Sequence, residues 1–342
     1  MNHNPENSTG QSQTYISFVR FALWHSGASP LYFKKGLFPL PDFMYIAQIY
    51  KTLETPLNRS HKQKAEDFYP AALTIAGSDS GGGAGIQADL RTFAAIGVFG
   101  ASAITALTAQ NPFEVKGIHP VPAEFVKAQL DAVLKCFSFG AAKTGMLFSS
   151  DIINAVSESL KGYSFTLVSD PVMISTSGAL LLEKSAVKAL IDKVLPIAKW
   201  VTPNIPEAEI ISGMTIKNAG DMKKAAAFCA EKFGNSFIVK GGHLQSGDGN
   251  ITDIAAHEGA VYAISSPVAE IESPEVLHGT GCTFSAAFTA CLAGGMNWKD
   301  SVISAKAFVL GSLEEAARVG KDIYAMYPPL EDYSGQISLK RF

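Results

Sequence analysis

The stretch Ala72-Leu73-Thr74-Ile75-Ala76-Gly77-Ser78-Asp79-Ser80-Gly81-Gly82-Gly83-Ala84-Gly85-Ile86-Gln87-Ala88-Asp89-Leu90 decides the architecture. Its first five residues are a short apolar run closed by Gly77-Ser78-Asp79, the pattern of a strand buried on both faces. From 84 to 96 the apolar residues Ile86, Leu90 and Phe93 recur at helical spacing, and Gly97 supplies the stop. The five glycines between 77 and 85 exceed what a plain strand–helix turn needs, and they let a backbone approach a ligand closely.

The same alternation continues outward. Apolar runs at 102–107, 139–143, 165–168, 200–202 and 237–239 read as strands, and 253–257 with 261–265 as a hairpin. Helical periodicity covers 124–134 (Phe125, Leu130 and Val133 inward), 152–160, 186–194, 219–233, 280–292 and 298–318. Strands alternating with helices imply an α/β fold with a mostly parallel sheet covered on both faces. Residues 1–68 lack any sustained period. They read as a disordered extension, as the product of a start placed too early with Met44 the later candidate, or as a targeting peptide. Residues 69–328 read as the folded domain, and 329–342 as a polar tail without pattern.

Of the 342 residues, 47% are hydrophobic and 17% charged, and the formal net charge is −3, with no basic stripe of the kind nucleic-acid binders carry. No run of about 20 apolar residues suggests a membrane span. The apolar stretch 282–295, rich in Ala, Gly and Thr, reads as a buried helix. None of the four cysteines has CxxC spacing, so a zinc or thioredoxin motif is not expected. Cys136, Cys229 and Cys291 read as reduced core fillers in a cytoplasmic setting.

In an open α/β sheet, ligands bind beyond the carboxyl ends of the strands, and the unusual residues of this chain follow strand ends. Gly83-x-Gly85-x-x-Ala88 loosely matches a dinucleotide fingerprint, but the neighbourhood about 20 residues on, Thr108-Ala109-Gln110-Asn111, lacks the ribose-binding acid. A Walker A loop is absent. His278-Gly279-Thr280-Gly281-Cys282 opens a small-residue helix, whose free N–H groups and dipole suit the charge of a transferring phosphoryl group. Cys282, in the first turn, is placed for a lowered thiol pKa and for service as a base, or else is a buried residue behind a helix cap. Asp170, Asn204, Glu207 and Lys240 each follow a strand. Asp170 and Glu207 suit Mg²⁺, and Lys240 suits phosphate oxygens. Taken singly, Glu207 reads equally as a helix N-terminal acid and Asn204 as a cap.

These motifs, with Thr105-Ala106-Leu107-Thr108-Ala109-Gln110-Asn111, Lys143-Thr144-Gly145-Met146-Leu147, Asp170-Pro171-Val172-Met173, Thr202-Pro203-Asn204 and Lys240-Gly241-Gly242-His243, run in order from about 71 to 320 and resemble the bacterial hydroxymethylpyrimidine/phosphomethylpyrimidine kinases. The resemblance implies a ribokinase-like three-layer α/β/α sandwich, ATP with Mg²⁺, two successive phosphorylations in thiamine diphosphate synthesis, and a homodimer. It implies that Gln110 and Asp89 hold the aminopyrimidine and its hydroxymethyl arm, with backbone from Gly77 and Ala84 and with Met146 and Val172 lining the ring. It also implies that Gly279, Thr280, Gly281 and Cys282 form the catalytic turn, Cys282 replacing the Asp base of many ribokinase-like enzymes. Asp170, Asn204, Glu207 and Lys240 then fall on the nucleotide–Mg²⁺ side. The loop reads Ser-Asp-Ser-Gly-Gly-Gly where many relatives have Thr-Asp-Pro-Ser-Gly-Gly. A pyridoxal kinase of the same fold is the nearest rival. A nicotinamide-dependent oxidoreductase and a non-catalytic pyrimidine sensor are the rivals from other classes.

Overall fold

The computed structural model describes residues 68–173, 182–242, 244 and 249–342. The 1–67 segment and His243 of the Lys240 motif lie outside the described residues. Phe68–Phe342 forms one compact unit.

Its centre is a ten-stranded sheet in the order β12-β9-β8-β7-β6-β5-β4-β1-β2-β3. The strands are β1 (Ala71–Asp79), β2 (Phe99–Gln110), β3 (Val115–Pro120), β4 (Ala141–Thr144), β5 (Thr166–Ser169), β6 (Trp200–Val201), β7 (Ser236–Val239), β8 (Asn250–His257) and β9 (Ala260–Pro267). A separate two-stranded ribbon joins β10 (Ala317–Gly320) to β11 (Ile323–Ala325), and β12 is Ser338–Arg341. The pairs from β2 through β1, β4, β5, β6 and β7 are parallel, while β3, β8, β9 and β12 add antiparallel flanks.

Among the described residues eight α-helices cover the sheet: α1 (Gly85–Ile96), α2 (Ala123–Leu134), α3 (Ser150–Leu160), α4 (Lys184–Ala189), α5 (Ile205–Ser212), α6 (Ala219–Phe233), α7 (Thr280–Ala293) and α8 (Trp298–Glu314). Successive strand residues point to opposite faces, and the core divides accordingly. Leu73, Leu167, Val201 and Phe237 pack with residues of α2, α3 and α6. Val168, Trp200 and Ile238 pack with Phe284 and Phe288 of α7 and Val302 of α8. The result is the expected α/β/α sandwich. Pro274–Ala293 is long and apolar enough to cross a membrane, but about two thirds of it is buried. It packs against α1, α8 and the strands, which is why small residues fill α7.

Several expectations need correction. The last helix stops at Glu314, and 317–320 returns as a strand. The tail expected to lack pattern supplies β12, whose Leu339 pairs with Ile264 of β9. Phe125 is exposed, and α2 buries Val126, Leu130 and Leu134 instead. Cys136 is exposed, while Cys229 and Cys291 are buried as expected, and all four cysteines are free.

The order reverses at β1: chain leaving it builds β2 on one side and later β4 on the other. A crevice opens at the carboxyl ends of the strands flanking such a reversal.

Candidate active site

That crevice holds a cavity of about 430 Å³. One wall is the end of β1 and its glycine loop. Gly85 adopts φ +58, and a Cβ there would lie 2.4 Å from the Gly77 carbonyl oxygen, so only glycine lets α1 start this close to the strand. Asp79 organises the loop. Its Oδ1 accepts the Gly81 amide at 2.8 Å, and its Oδ2 accepts the Ala84 amide at 2.8 Å and His278 Nε2 at 2.9 Å. Burial pushes the Asp79 carboxyl up, but the His278 hydrogen bond and the two amides outweigh it and hold the carboxyl below its usual range.

His278 comes from the other glycine-rich turn, so the Asp79–His278 pair ties the two helix starts together. Gly279 completes the closure: at φ +87, a Cβ on it would lie 1.9 Å from the Gly83 carbonyl oxygen. Gln110 Nε2 lies 3.3 Å from the same His278 Nε2. Ionised Asp79 only accepts, so His278 Nε2 carries the hydrogen and cannot also accept from the Gln110 amide. The Gln110 donors stay available to a ligand. Met146 packs with Ala106 and the partly buried Val172 beside this polar corner. Val172 has φ +39, an unusual conformation for a β-branched residue and one that clusters at ligand sites.

The opposite wall carries charge. Lys240 Nζ donates to Asp170 Oδ1 at 2.8 Å, and Ser285 Oγ of α7 donates to Asp170 Oδ2 at 3.1 Å. Asn204 and Glu207 form a reciprocal capping box at the start of α5. Glu207 Oε2 takes the Asn204 amide at 2.9 Å, and Oε1 takes the Met173 amide at 3.1 Å. Burial, opposed by Lys240 and assisted by Asp170, raises the Glu207 carboxyl above its usual range. The readings of Asn204 as a cap and Glu207 as a first-turn acid therefore hold, and both residues still line the cavity.

α7 begins between the walls. Its N-cap is Gly279, and among the described residues no side chain bonds the first-turn amides, which suits them to an anion. A Cβ on Gly281 would stand 3.3 Å from Lys240 Nζ and 3.8 Å from Asp170 Oδ2. The helix start, the lysine and the carboxylate thus converge on one point.

Gly77, Ala84, Gln110, Met146, Asp170, Val172, Asn204, Glu207, Lys240, Gly279, Thr280, Gly281 and Cys282 all border this cavity. Asp89 does not. It is fully buried in α1, with Oδ1 on Lys143 Nζ at 2.6 Å and Oδ2 on Thr74 Oγ1 at 2.6 Å, so it is enclosed within the fold and off the cavity. The Cys282 thiol also departs from expectation: burial, with the nearby charges of Asp89 and Asp170, pushes it up to about 11 although Lys143 and the Gly85 amide act the other way.

For Mg²⁺, the donor set decides the mode. Among the described residues no cluster of three or more His, Cys, Asp or Glu forms a cage. Each oxygen of Asp170 and Glu207 accepts one hydrogen bond. An ionised carboxylate has roughly four lone-pair sites, so both retain capacity. That suits an ion held mainly by water and phosphate, as Mg²⁺ usually is.

A model of the phosphomethylpyrimidine kinase family matches residues 79–327, which takes in both glycine-rich turns, Lys240 and the Gln110 corner. The chain belongs to that family. Among its relatives, the hydroxymethylpyrimidine/phosphomethylpyrimidine kinase of Haemophilus influenzae is 45% identical over 252 residues, spanning 73% of this chain and 93% of its own. The phosphomethylpyrimidine kinase structure from Clostridium difficile superposes with a TM-score of 0.61 at 41% identity, over 70% of this chain and 97% of its own. The pyridoxal kinase from Staphylococcus aureus in complex with pyridoxal gives 0.71 at 32% identity, over 81% and 100%.

In this phosphomethylpyrimidine kinase family chain, sequence reasoning missed the Asp79–His278 tie and two buried lysines. Lys143 stands in the strand Ala141-Ala142-Lys143-Thr144, and Lys306 lies in α8 and donates to Asp253 Oδ2 at 2.7 Å. Asp253 Oδ1 in turn holds the Gly241 amide at 2.8 Å, fixing the turn that follows Lys240. A lysine inside an otherwise buried run was the available signal, since such a charge needs a buried partner.

Proposed function

We propose that the chain transfers the γ-phosphoryl group of ATP to the hydroxymethyl group of 4-amino-5-hydroxymethyl-2-methylpyrimidine, and then a second phosphoryl group to the monophosphate, for thiamine diphosphate synthesis. The carrying observation is that the Gln110 corner and the open start of α7, with Cys282 in its first turn, line one cavity. Gln110, able to donate and accept, pairs with the aminopyrimidine edge, and Met146 and Val172 pack on the ring. The hydroxymethyl oxygen then faces the start of α7. Cys282 as thiolate takes its proton, the oxygen bonds to the γ-phosphorus, and ADP leaves. The α7 amides and Lys240 hold the charge that develops on the transferring group. Asp170 and Glu207 would hold Mg²⁺ through water, and the ion would neutralise phosphate charge.

The H. influenzae relative carries this activity in its name, and the S. aureus pyridoxal kinase has been solved with ADP and with AMP-PCP, which supports ATP as donor. The higher superposition on pyridoxal kinase favours pyridoxal as a second reading, while the higher identity to the pyrimidine kinases favours the first. A coupled ADP-release assay with hydroxymethylpyrimidine, its monophosphate and pyridoxal side by side tests both. The pyrimidines should turn over faster, and much faster turnover of pyridoxal would overturn the proposal.

A further inference from the structure

Gln110 sits where the regular sheet gives out. The β1–β2 ladder ends with Asp79 opposite Thr108, two residues short of it. On the other side of β2 the register with β3 shifts between Ala109 and Gln110. A bulge of this kind re-aims the side chains beside it and loosens the local ladder. One side chain then takes the place of the missing rung. Ser80 Oγ donates to the Gln110 carbonyl oxygen at 2.7 Å and accepts the Gln110 amide at 2.8 Å. A hydroxyl has one donor and two acceptor sites, so it serves both groups at once. The glycine loop closes on the same place: a Cβ on Gly81 would stand 3.2 Å from the Gln110 carbonyl oxygen and 3.2 Å from Asn111 Cα. Beyond Gln110, the Asn111 Oδ1 accepts the Phe113 amide at 2.9 Å and the Glu114 amide at 3.1 Å, which fixes the turn into β3. Ser80 is exposed and is not part of the cavity lining, whereas Gln110 is.

We propose that Ser80 is a positioning residue for the acceptor substrate: its hydroxyl clamps the Gln110 main chain at the bulge and so aims the Gln110 amide at the pyrimidine edge. The inference rests on Gln110 pairing with the pyrimidine. A glutamine side chain loses rotamer freedom when a ligand orders it. Fixing its root beforehand leaves less to be ordered on binding. Ser80 therefore acts on the binding of the pyrimidine, through Gln110, and not on phosphoryl transfer. The hydroxyl alone carries the effect, since both hydrogen bonds run through that one oxygen.

The test compares Ser80→Ala with Ser80→Thr, which keeps the hydroxyl, in the full chain. With hydroxymethylpyrimidine as acceptor, Ser80→Ala should raise its KM about tenfold for the two hydrogen bonds lost. The kcat and the KM for ATP should stay near wild type, because only acceptor binding is affected. Ser80→Thr should restore the wild-type KM. In a Gln110→Leu background, Ser80→Ala should raise the KM no further, since a residue that acts through Gln110 has nothing left to act on. A second measurement needs no substrate: hydrogen–deuterium exchange at the Gln110 amide, followed by mass spectrometry, should be faster in Ser80→Ala and unchanged in Ser80→Thr. Wild-type KM or unchanged exchange in Ser80→Ala overturns the proposal, as does an equal added loss in the Gln110→Leu background. These failures leave the proposed function standing as long as the wild type turns over the pyrimidine. No turnover of the pyrimidine by the wild type overturns both, even where the exchange result shows the clamp itself.

Discussion

Replacing Gly279 by alanine is the sharpest test of the closed junction between the two glycine-rich turns. The new Cβ would fall 1.9 Å from the Gly83 carbonyl oxygen and 2.8 Å from its carbon, where real contacts stay above 3.0 Å. The turns must then part by about 1 Å, and a displacement of that size at a reacting centre costs roughly 100-fold in rate. The φ of +87 adds a left-handed cost of about 1 kcal/mol for a residue with a Cβ. Gly97→Ala is the control: it has φ +81 and nothing within 4 Å, and it caps α1 away from the cavity. Steady-state ADP release and thermal unfolding should be measured on both. Gly279→Ala should lose about two orders of magnitude in kcat and roughly 5 °C in Tm. Gly97→Ala should lose a few degrees and keep kcat. Wild-type kcat in a folded Gly279→Ala protein would refute the idea that the junction must close, as would an equal kcat loss in Gly97→Ala.

Cys282→Ala should lower kcat by roughly 100-fold or more with little change in KM, because proton transfer matters mainly in the transition state; an unchanged kcat removes the thiol from the mechanism. Gln110→Leu should raise KM for the pyrimidine by roughly tenfold or more, since the buried polar edge of the ring loses its partner, and wild-type KM would refute that pairing. Asp79 carries a carboxyl held below its usual 3.8, so the stability it contributes is present above that pH and is lost as pH falls through the lowered value. Urea midpoints of wild type and Asp79→Asn should therefore differ at pH 7 and converge in strong acid, and a gap independent of pH would show that the carboxylate charge is not what stabilises the junction.

Local signals carried most of the fold. Short apolar runs, most followed by polar or glycine punctuation, marked the parallel strands because a strand buried on both faces has no polar side to alternate. The edge elements escaped for the converse reason. β3 is largely exposed and β12 is polar, so neither has an apolar signature, and both form because a neighbouring ladder offers them backbone partners. At the site, glycine density and strand-end position located the Gly77–Gly85 loop, Lys240 and the Gly279–Cys282 turn, while Gln110 came from the family resemblance. Side-chain direction was not legible. Asp89 sits in the same motif as these residues, yet helix phase turns it inward to Lys143. The Cys282 thiol was read as lowered from its place in the first turn, whereas burial in the packed structure pushes it up.

The C-terminal strand has a practical consequence. Ser338–Arg341 hydrogen-bonds along Tyr262–Ser265 of β9, so it occupies what would otherwise be the sheet's open border. A chain trimmed at the apparent end of the helical region would bare those backbone groups, and a bare border recruits strands from other molecules. Shortening this protein for crystallisation thus invites association between copies, whereas a purification handle fused beyond Phe342 leaves the protective strand in its place.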